Sequence, residues 1–281
     1  MPSSTENTYI LVTGANRGIG YDLVLALLKR YPNAVLFAGA RDPTSADALN
    51  ELTNNDSRVH VVKLIADDEE SNKSAVEEVK KVTDRLDIVV VNAGTLRHVP
   101  FCSSADHRNK GINAPFIPVH SESIESYKSN FQVNTFGPLY LYQATYPLLV
   151  NTRLTDSSSS LASPKFFFTS TLVASTGSVP ASYINGPYGA GKAAASHIAS
   201  AIHHQTEKAG AVVIPYHPGL VLTDMVRRTA SEMGLTAEEL LPGAISPERC
   251  ANEYADLIVK ATRGEHGGKF LGRGFAEPIP W

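Results

Sequence analysis

The chain has 281 residues, 43% of them hydrophobic, and a formal net charge of −3. That length suits one substantial core, the slightly acidic balance leaves no electrostatic footprint for nucleic acid, and no apolar run approaches the roughly 18 residues of a membrane span. Two cysteines, Cys102 and Cys250, are too few for a disulfide framework, and MPSSTENTYI has neither the basic nor the apolar region of a signal peptide, so a reduced, cytoplasmic setting is expected.

In chain order, 9–13 reads as a buried strand that runs into a helix over 17–30. Ile19, Leu23 and Leu27 repeat there every four residues and form one apolar face. Strands follow at 35–40 and 59–64. A helix over 71–85 turns Val76, Val79 and Val82 inward, and "DIVVV" at 87–91 is a strand apolar enough to be covered on both faces. A long helix is expected over 124–151, then a strand at 166–170, a helix over 188–209 and a strand at 212–216. A helix over 246–262 has Pro247 at its first position, and 269–271 is a last edge strand. Segments 97–118, 152–164 and 176–187 read as loops. Strands alternating with helices, with no linker and no repeat, predict an α/β fold: a Rossmann-like doubly wound, mostly parallel sheet of about seven strands in a single domain over 1–281.

Ligands of such sheets bind beyond the carboxyl ends of the strands. At those positions stand "TGANRGIG" (13–20), "NAGT" (92–95), "TSTLVAS" (169–175) and "HPGLVLTDM" (217–225). Glycines at a strand-to-helix junction allow a left-handed turn and close backbone approach, which suits a phosphate on a helix N-terminus. In "YGAGK", Tyr188 and Lys192 are four apart and share a helix face. A neighbouring ammonium favours phenolate, so Tyr188 is expected to have a lowered pKa and to exchange a proton with a carbonyl or alcohol oxygen near neutral pH.

Those five motifs, in this order over about residues 8–281, resemble the short-chain dehydrogenase/reductase family, in its short single-domain branch. The tail "GGKFLGRGFAEPIPW" is similar to the C-factor-like and fungal norsolorinic-acid-ketoreductase-like subgroup. The resemblance implies a nicotinamide cofactor held by Gly14, Asn16, Arg17, Gly18, Ile19 and Gly20, with Asn92, Ala93 and Gly94 beside its adenosine part. Pro218, Gly219, Val221 and Thr223 would lie at its carboxamide. It implies Tyr188 as general acid/base, Lys192 lowering its pKa and bonding the ribose, and Asn134 holding a proton-relay water. A hydroxyl after the fifth strand would orient the substrate carbonyl; register favours Thr171 and residue type favours Ser170. Where the family often has an aspartate at the adenine, this chain has Ile65, with Asp67 or Asp68 as substitutes. The stretch between Gly94 and Asn134 is longer than usual, which makes 97–118 an insertion near the site, and 224–245 is a substrate lid. Self-association into a homodimer or homotetramer, through the helices starting near 124 and 188, is also what the family implies.

The second strand ends in Ala40-Arg41 rather than in an acidic residue, and Arg17 sits in the glycine turn. Two guanidiniums suit a 2′-phosphate, so NADP(H) is expected; Asp42 keeps NAD as the alternative. Phe101, Phe116, Tyr183, Met225, Met233, Leu240 and Leu241 suggest an apolar carbonyl or alcohol substrate. The histidines lack metal-ligand spacing, so no metal is expected. Hydride exchange with a ketone or aldehyde is the leading reading. The alternatives are imine reduction or another reaction on the same cofactor site, and a non-catalytic cofactor-binding sensor.

Overall fold

The computed structural model describes residues 6–96, 119–155, 162–178, 186–232, 234–274 and 277–281. Each predicted strand forms: β1 (Thr8–Thr13), β2 (Ala34–Ala40), β3 (Val59–Lys63), β4 (Ile88–Val91), β5 (Lys165–Thr169), β6 (Val212–His217) and a two-residue β7 (Leu271–Gly272). They pair in the order β3-β2-β1-β4-β5-β6-β7, and every pairing is parallel. Between them run α1 (Gly18–Arg30), α2 (Asp47–Asn55), α3 (Glu69–Lys80), α4 (Ile124–Phe131), α5 (Gly137–Tyr146), α6 (Thr152–Thr155), α7 (Gly186–Gln205), α8 (Asp224–Glu232), α9 (Ala237–Leu240) and α10 (Pro247–Lys260).

Side chains alternate across a strand, and here both faces are covered. Ile10, Val12, Val90, Phe167 and Ile214 pack with Leu23, Leu27 and Leu257 of α1 and α10. Leu11, Val89, Phe166, Phe168 and Val213 pack on the other face with Val76, Leu141 and Ile202 of α3, α5 and α7. This double burial is why the strands read as continuous apolar runs. Among the described residues, no helix is long and apolar enough to cross a membrane.

Three departures from the expected elements have local causes. The helix over 124–151 is interrupted by wide turns at Gln132–Phe136 and Pro147–Asn151. Pro138 and Pro147 offer no N–H to the carbonyls four residues back, which belong to Asn134 and Gln143. Helix α2 was not foreseen because it buries only Leu49 and so shows no apolar stripe. Helix α7 starts two residues before Tyr188 and stops at Gln205, after which Gly210 takes φ +66°. Segment 97–118 lies outside the described residues.

The chain builds β1, β2 and β3 outward and then returns to place β4 on the other side of β1. The helices after β1 and β4 therefore diverge and open a crevice at the strands' carboxyl ends, the point at which this topology binds ligands.

Candidate active site

The glycine turn is fitted against the exit of β4. Gly14 and Gly18 have φ +62° and +56°, values that disfavour a side chain. A Cβ on Gly20 would collide with the Gly14 carbonyl oxygen and come within 2.5 Å of Asn92 Nδ2; one on Gly14 would stand 3.0 Å from the Ala93 Cα. Asn92 Nδ2 donates to the carbonyls of Thr13 (3.1 Å) and Gly14 (3.2 Å), and the backbone N–H groups of Asn92 and Ala93 donate to Thr13 Oγ1. The turn is thus held from below. Above it, α1 begins from an extended Arg17 with no side-chain cap and no acidic residue in its first turn, while a Cβ on Gly18 would meet nothing within 4 Å. Uncapped first-turn N–H groups beneath open space fit a phosphate.

A cleft of about 800 Å³ follows the carboxyl ends of the strands, and all the predicted site residues line it except Gly20, Asn134 and Ile65. Gly20 lies beneath the turn. Asn134 is fully buried one layer behind, where its Oδ1 accepts from Thr95 N (3.0 Å) and its Nδ2 donates to Thr95 O (2.8 Å). Its side chain therefore clamps the loop that carries Gly94. Ile65 does not line the cleft. Its N–H donates to Ser71 Oγ (2.9 Å) and its carbonyl accepts from Asn72 Nδ2 (3.0 Å), which ties it to the start of α3. Leu64, Ala66 and Asp67 line the cleft there instead. Asp68 is committed as the N-cap of α3, so Asp67 is the carboxylate left facing the cleft.

Tyr188 and Lys192 share one face of α7 as expected, but the expected electrostatics differ. Burial pushes the Tyr188 phenol up to about 12, and a hydrogen bond with Thr171 pulls the other way. Burial brings the Lys192 ammonium down to about 8, and its Nζ donates to the Thr169 carbonyl (2.8 Å). The ammonium is spent on a backbone carbonyl, and desolvation dominates the phenol. The two hydroxyls after β5 also separate. Thr171 is bonded to Tyr188, whereas Ser170 is buried with its Oγ 2.9 Å from Ser196 Oγ on α7.

Beyond β2, Arg41 lines the cleft in an exposed position. Asp42 Oδ1 accepts from both the N–H (3.0 Å) and the hydroxyl (2.7 Å) of Thr44, bonds that hold its carboxyl below the usual range. Ser45, which sequence reading missed, also lines the cleft; the signal was the turn-forming "DPTS", in which Asp42 caps Pro43–Ser45 and turns it back. Arg17 Nη1 reaches 3.4 Å from Asp224 on α8. His217 lines the cleft as well and carried no sequence signal beyond preceding Pro218-Gly219. Of the expected apolar lining, Met225, Leu240 and Leu241 are in place, joined by Leu96, Val173 and Leu235. Phe101, Phe116, Tyr183 and Met233 lie outside the described residues.

Known proteins match this chain over nearly its whole length. An oxidoreductase of Schizosaccharomyces pombe, C24B10.20, is 34% identical over 270 residues, 94% of this chain and 95% of that protein. The norsolorinic acid ketoreductase nor1 of Dothistroma septosporum is 30% identical over 288 residues, 99% of this chain and 94% of that one, in agreement with the resemblance of the tail. In fold, the chain is similar to an NADPH-bound carbonyl reductase from chicken fatty liver, with a TM-score of 0.78, 22% identity and coverage of 98% of this chain and 100% of that chain. Residues 8–234 match the short chain dehydrogenase family, and the chain belongs to it.

Proposed function

We propose that the protein is an NADP(H)-dependent carbonyl reductase acting on a small, largely apolar ketone or aldehyde. The observation that carries this reading is the joining of Tyr188, Thr171 and Lys192 at the wall of the same cleft that holds the uncapped start of α1. When bound, NADPH supplies the hydride that adds to the carbonyl carbon. The residues do the rest. Thr171 and Tyr188 together orient the carbonyl oxygen and stabilise the charge that grows on it. Tyr188 gives up its phenolic proton to that oxygen, and burial, which pushes the phenol up to about 12, keeps that proton on the ring at neutral pH until it is needed. Lys192 stabilises the phenolate left behind. Asn134 keeps the loop carrying Gly94 against the cleft, and Pro138 leaves the Asn134 carbonyl without its α-helical donor, which makes it available to a relay water. Ser170 is paired with Ser196 and serves the packing of β5 on α7, so the hydroxyl of this mechanism is Thr171.

Residues Gly14–Gly20 would hold the cofactor's pyrophosphate, Asp67 its adenine, and Val221 and Thr223 its carboxamide. Arg41, Ser45 and Arg17 would hold the 2′-phosphate, while Asp42, engaged by Thr44, is a poor partner for a 2′-hydroxyl. Segment 224–245, with α8 and α9, acts as the lid over the substrate, and a small uncharged molecule is the partner it admits. The related carbonyl reductase and ketoreductase names support the same substrate class.

Fluorescence titration with NADPH and NADH tests the cofactor directly, before any substrate is known. NADPH is expected to bind at least about tenfold more tightly, or roughly 1.4 kcal/mol, and Arg41→Ala to remove most of that preference by weakening NADPH alone. Equal losses for both cofactors would take the 2′-phosphate away from Arg41.

The pH profile follows from the two burial-driven shifts. As pH rises through about 8, Lys192 loses its proton while Tyr188 keeps its own. The uncharged amine no longer stabilises phenolate, so kcat/KM for reduction is expected to fall with unit slope above about pH 8. A profile that stays flat through the alkaline range would remove Lys192 from this role.

A further inference from the structure

The outer half of the cleft, formed by the ends of β5 and β6 together with α8 and α9, has few polar side chains, and nearly all of them already have partners. Thr171 is bonded to Tyr188, Ser170 to Ser196, and Lys192 to the Thr169 carbonyl. The Thr169 hydroxyl lies toward the Tyr254 phenol on α10 but makes no hydrogen bond among the described residues. Asp224 pairs with Arg17, the Thr229 hydroxyl donates to the Met225 carbonyl, and Thr223 Oγ1 accepts from Val226 N. Glu239 is consumed by the N-terminus of α9, where it accepts from Thr236 N (2.7 Å) and Thr236 Oγ1 (2.9 Å). Beside the Thr169 hydroxyl, the polar side chain left without a hydrogen bond is His217, the last residue of β6. It lines the cleft, and its Nδ1 is sealed from solvent with no hydrogen-bond partner among the described residues. The Nε2 edge is then the part of the ring that reaches the cleft.

His217 follows Tyr216, whose Cα partner across the β5–β6 ladder is Thr169 and whose carbonyl accepts from Ser170 N (2.7 Å). The imidazole therefore projects from the strand end beside the one that carries Thr171. Burial brings it down to about 4, so at neutral pH it is an uncharged ring with one donor and one acceptor nitrogen. A polar ring edge in a wall whose other polar side chains are mostly engaged favours a ligand with a matching polar atom, because covering it with hydrocarbon leaves that nitrogen unsatisfied.

We infer that His217 is a specificity-determining residue that hydrogen-bonds a second, uncharged oxygen of the substrate, a hydroxyl or carbonyl adjacent to the reacting ketone. This rests on the reductase reading above and narrows its substrate class from apolar ketones in general to oxygen-bearing ones such as hydroxyketones and dicarbonyls.

The test compares benzoin with deoxybenzoin, two ketones that differ only by a hydroxyl beside the carbonyl, using the intact protein with NADPH. The wild type is expected to favour benzoin by about tenfold or more in kcat/KM. His217→Leu is expected to bring that ratio close to one, chiefly through KM for benzoin. His217→Asn, which keeps a donor and an acceptor, is expected to retain part of it and also covers the case in which the leucine variant fails to fold. A ratio near one in the wild type, a ratio unchanged in His217→Leu, or a parallel rise in the NADPH dissociation constant would each overturn the assignment, the last by giving His217 to the cofactor. Reduction of neither ketone by the wild type would bring down the reductase reading, and with it the inference, unless NADPH fluorescence reports tighter binding of benzoin than of deoxybenzoin to the wild type and equal binding to His217→Leu.

Discussion

Tyr188→Phe is expected to lower kcat for ketone reduction by roughly 100- to 10,000-fold, the range that a positioned general acid contributes. The ring stays where it is, so the packing of α7 on the sheet is kept. The loss is one hydroxyl, bonded to Thr171, and with it the proton that the alkoxide must receive. Among the described residues of the cleft no other proton stands ready, because Ser170 is turned to Ser196 and Lys192 to the Thr169 carbonyl. NADPH binding, followed by fluorescence, is expected to change little, which separates loss of chemistry from loss of cofactor. Thr171→Ala in the same assay should be far more damaging than Ser170→Ala. Full turnover by Tyr188→Phe would end the proposed mechanism.

Gly20→Ala is expected to loosen NADPH by at least about 100-fold, close to 3 kcal/mol, and to cost about 1–3 kcal/mol of stability through overpacking. The added Cβ meets the Gly14 carbonyl oxygen and Asn92 Nδ2, and neither can retreat cheaply. The carbonyl belongs to a turn already at φ +62°, and the amide holds that turn to β4 through bonds to Thr13 and Gly14. The turn must lift, and the first-turn N–H groups of α1 then no longer converge on one point. Gly18→Ala makes a useful control, since its Cβ has free space and only its φ of +56° opposes it. Isothermal titration with NADPH, together with thermal unfolding, reads both quantities. Wild-type affinity in Gly20→Ala would show that the turn does not cradle the pyrophosphate.

The two variants probe features of different legibility. The glycine spacing and the Tyr188/Lys192 pair are local patterns, dictated by turn geometry and by the four-residue helical repeat, and they could be placed on a strand end and a helix without a structure. The same holds for the strands, whose apolar runs follow from burial on both faces. Helix α2 was not legible, because a helix that buries only Leu49 has no periodic face to read. The interruptions of the helix over 124–151 were half legible: the prolines were visible, but their consequence depends on what packs around the freed carbonyls.

Side-chain direction and electrostatic environment were beyond the sequence. Ser170 and Thr171 stood as alternative candidates until the structure paired one with Ser196 and the other with Tyr188. The ammonium of Lys192 was expected to acidify Tyr188, yet burial of both groups and a backbone carbonyl at Nζ produce a raised phenol and a lowered amine. Ile65 occupied the expected position in the chain but is tied to the start of α3, which leaves Asp67 at the cleft.

By itself, then, the sequence determined the fold class, the order and hand-off of its strands and helices, the glycine turn, the placing of Tyr188 and Lys192 on one helix face and the family, because each of these is written in spacing between near neighbours. Only the tertiary structure decided which hydroxyl meets Tyr188, which carboxylate faces the cleft, what Arg17 and Asp42 are already bonded to, and that His217 stands in the wall without a partner. Those outcomes depend on residues brought together from distant parts of the chain, where desolvation and hydrogen-bond competition are set by neighbours that no local pattern records.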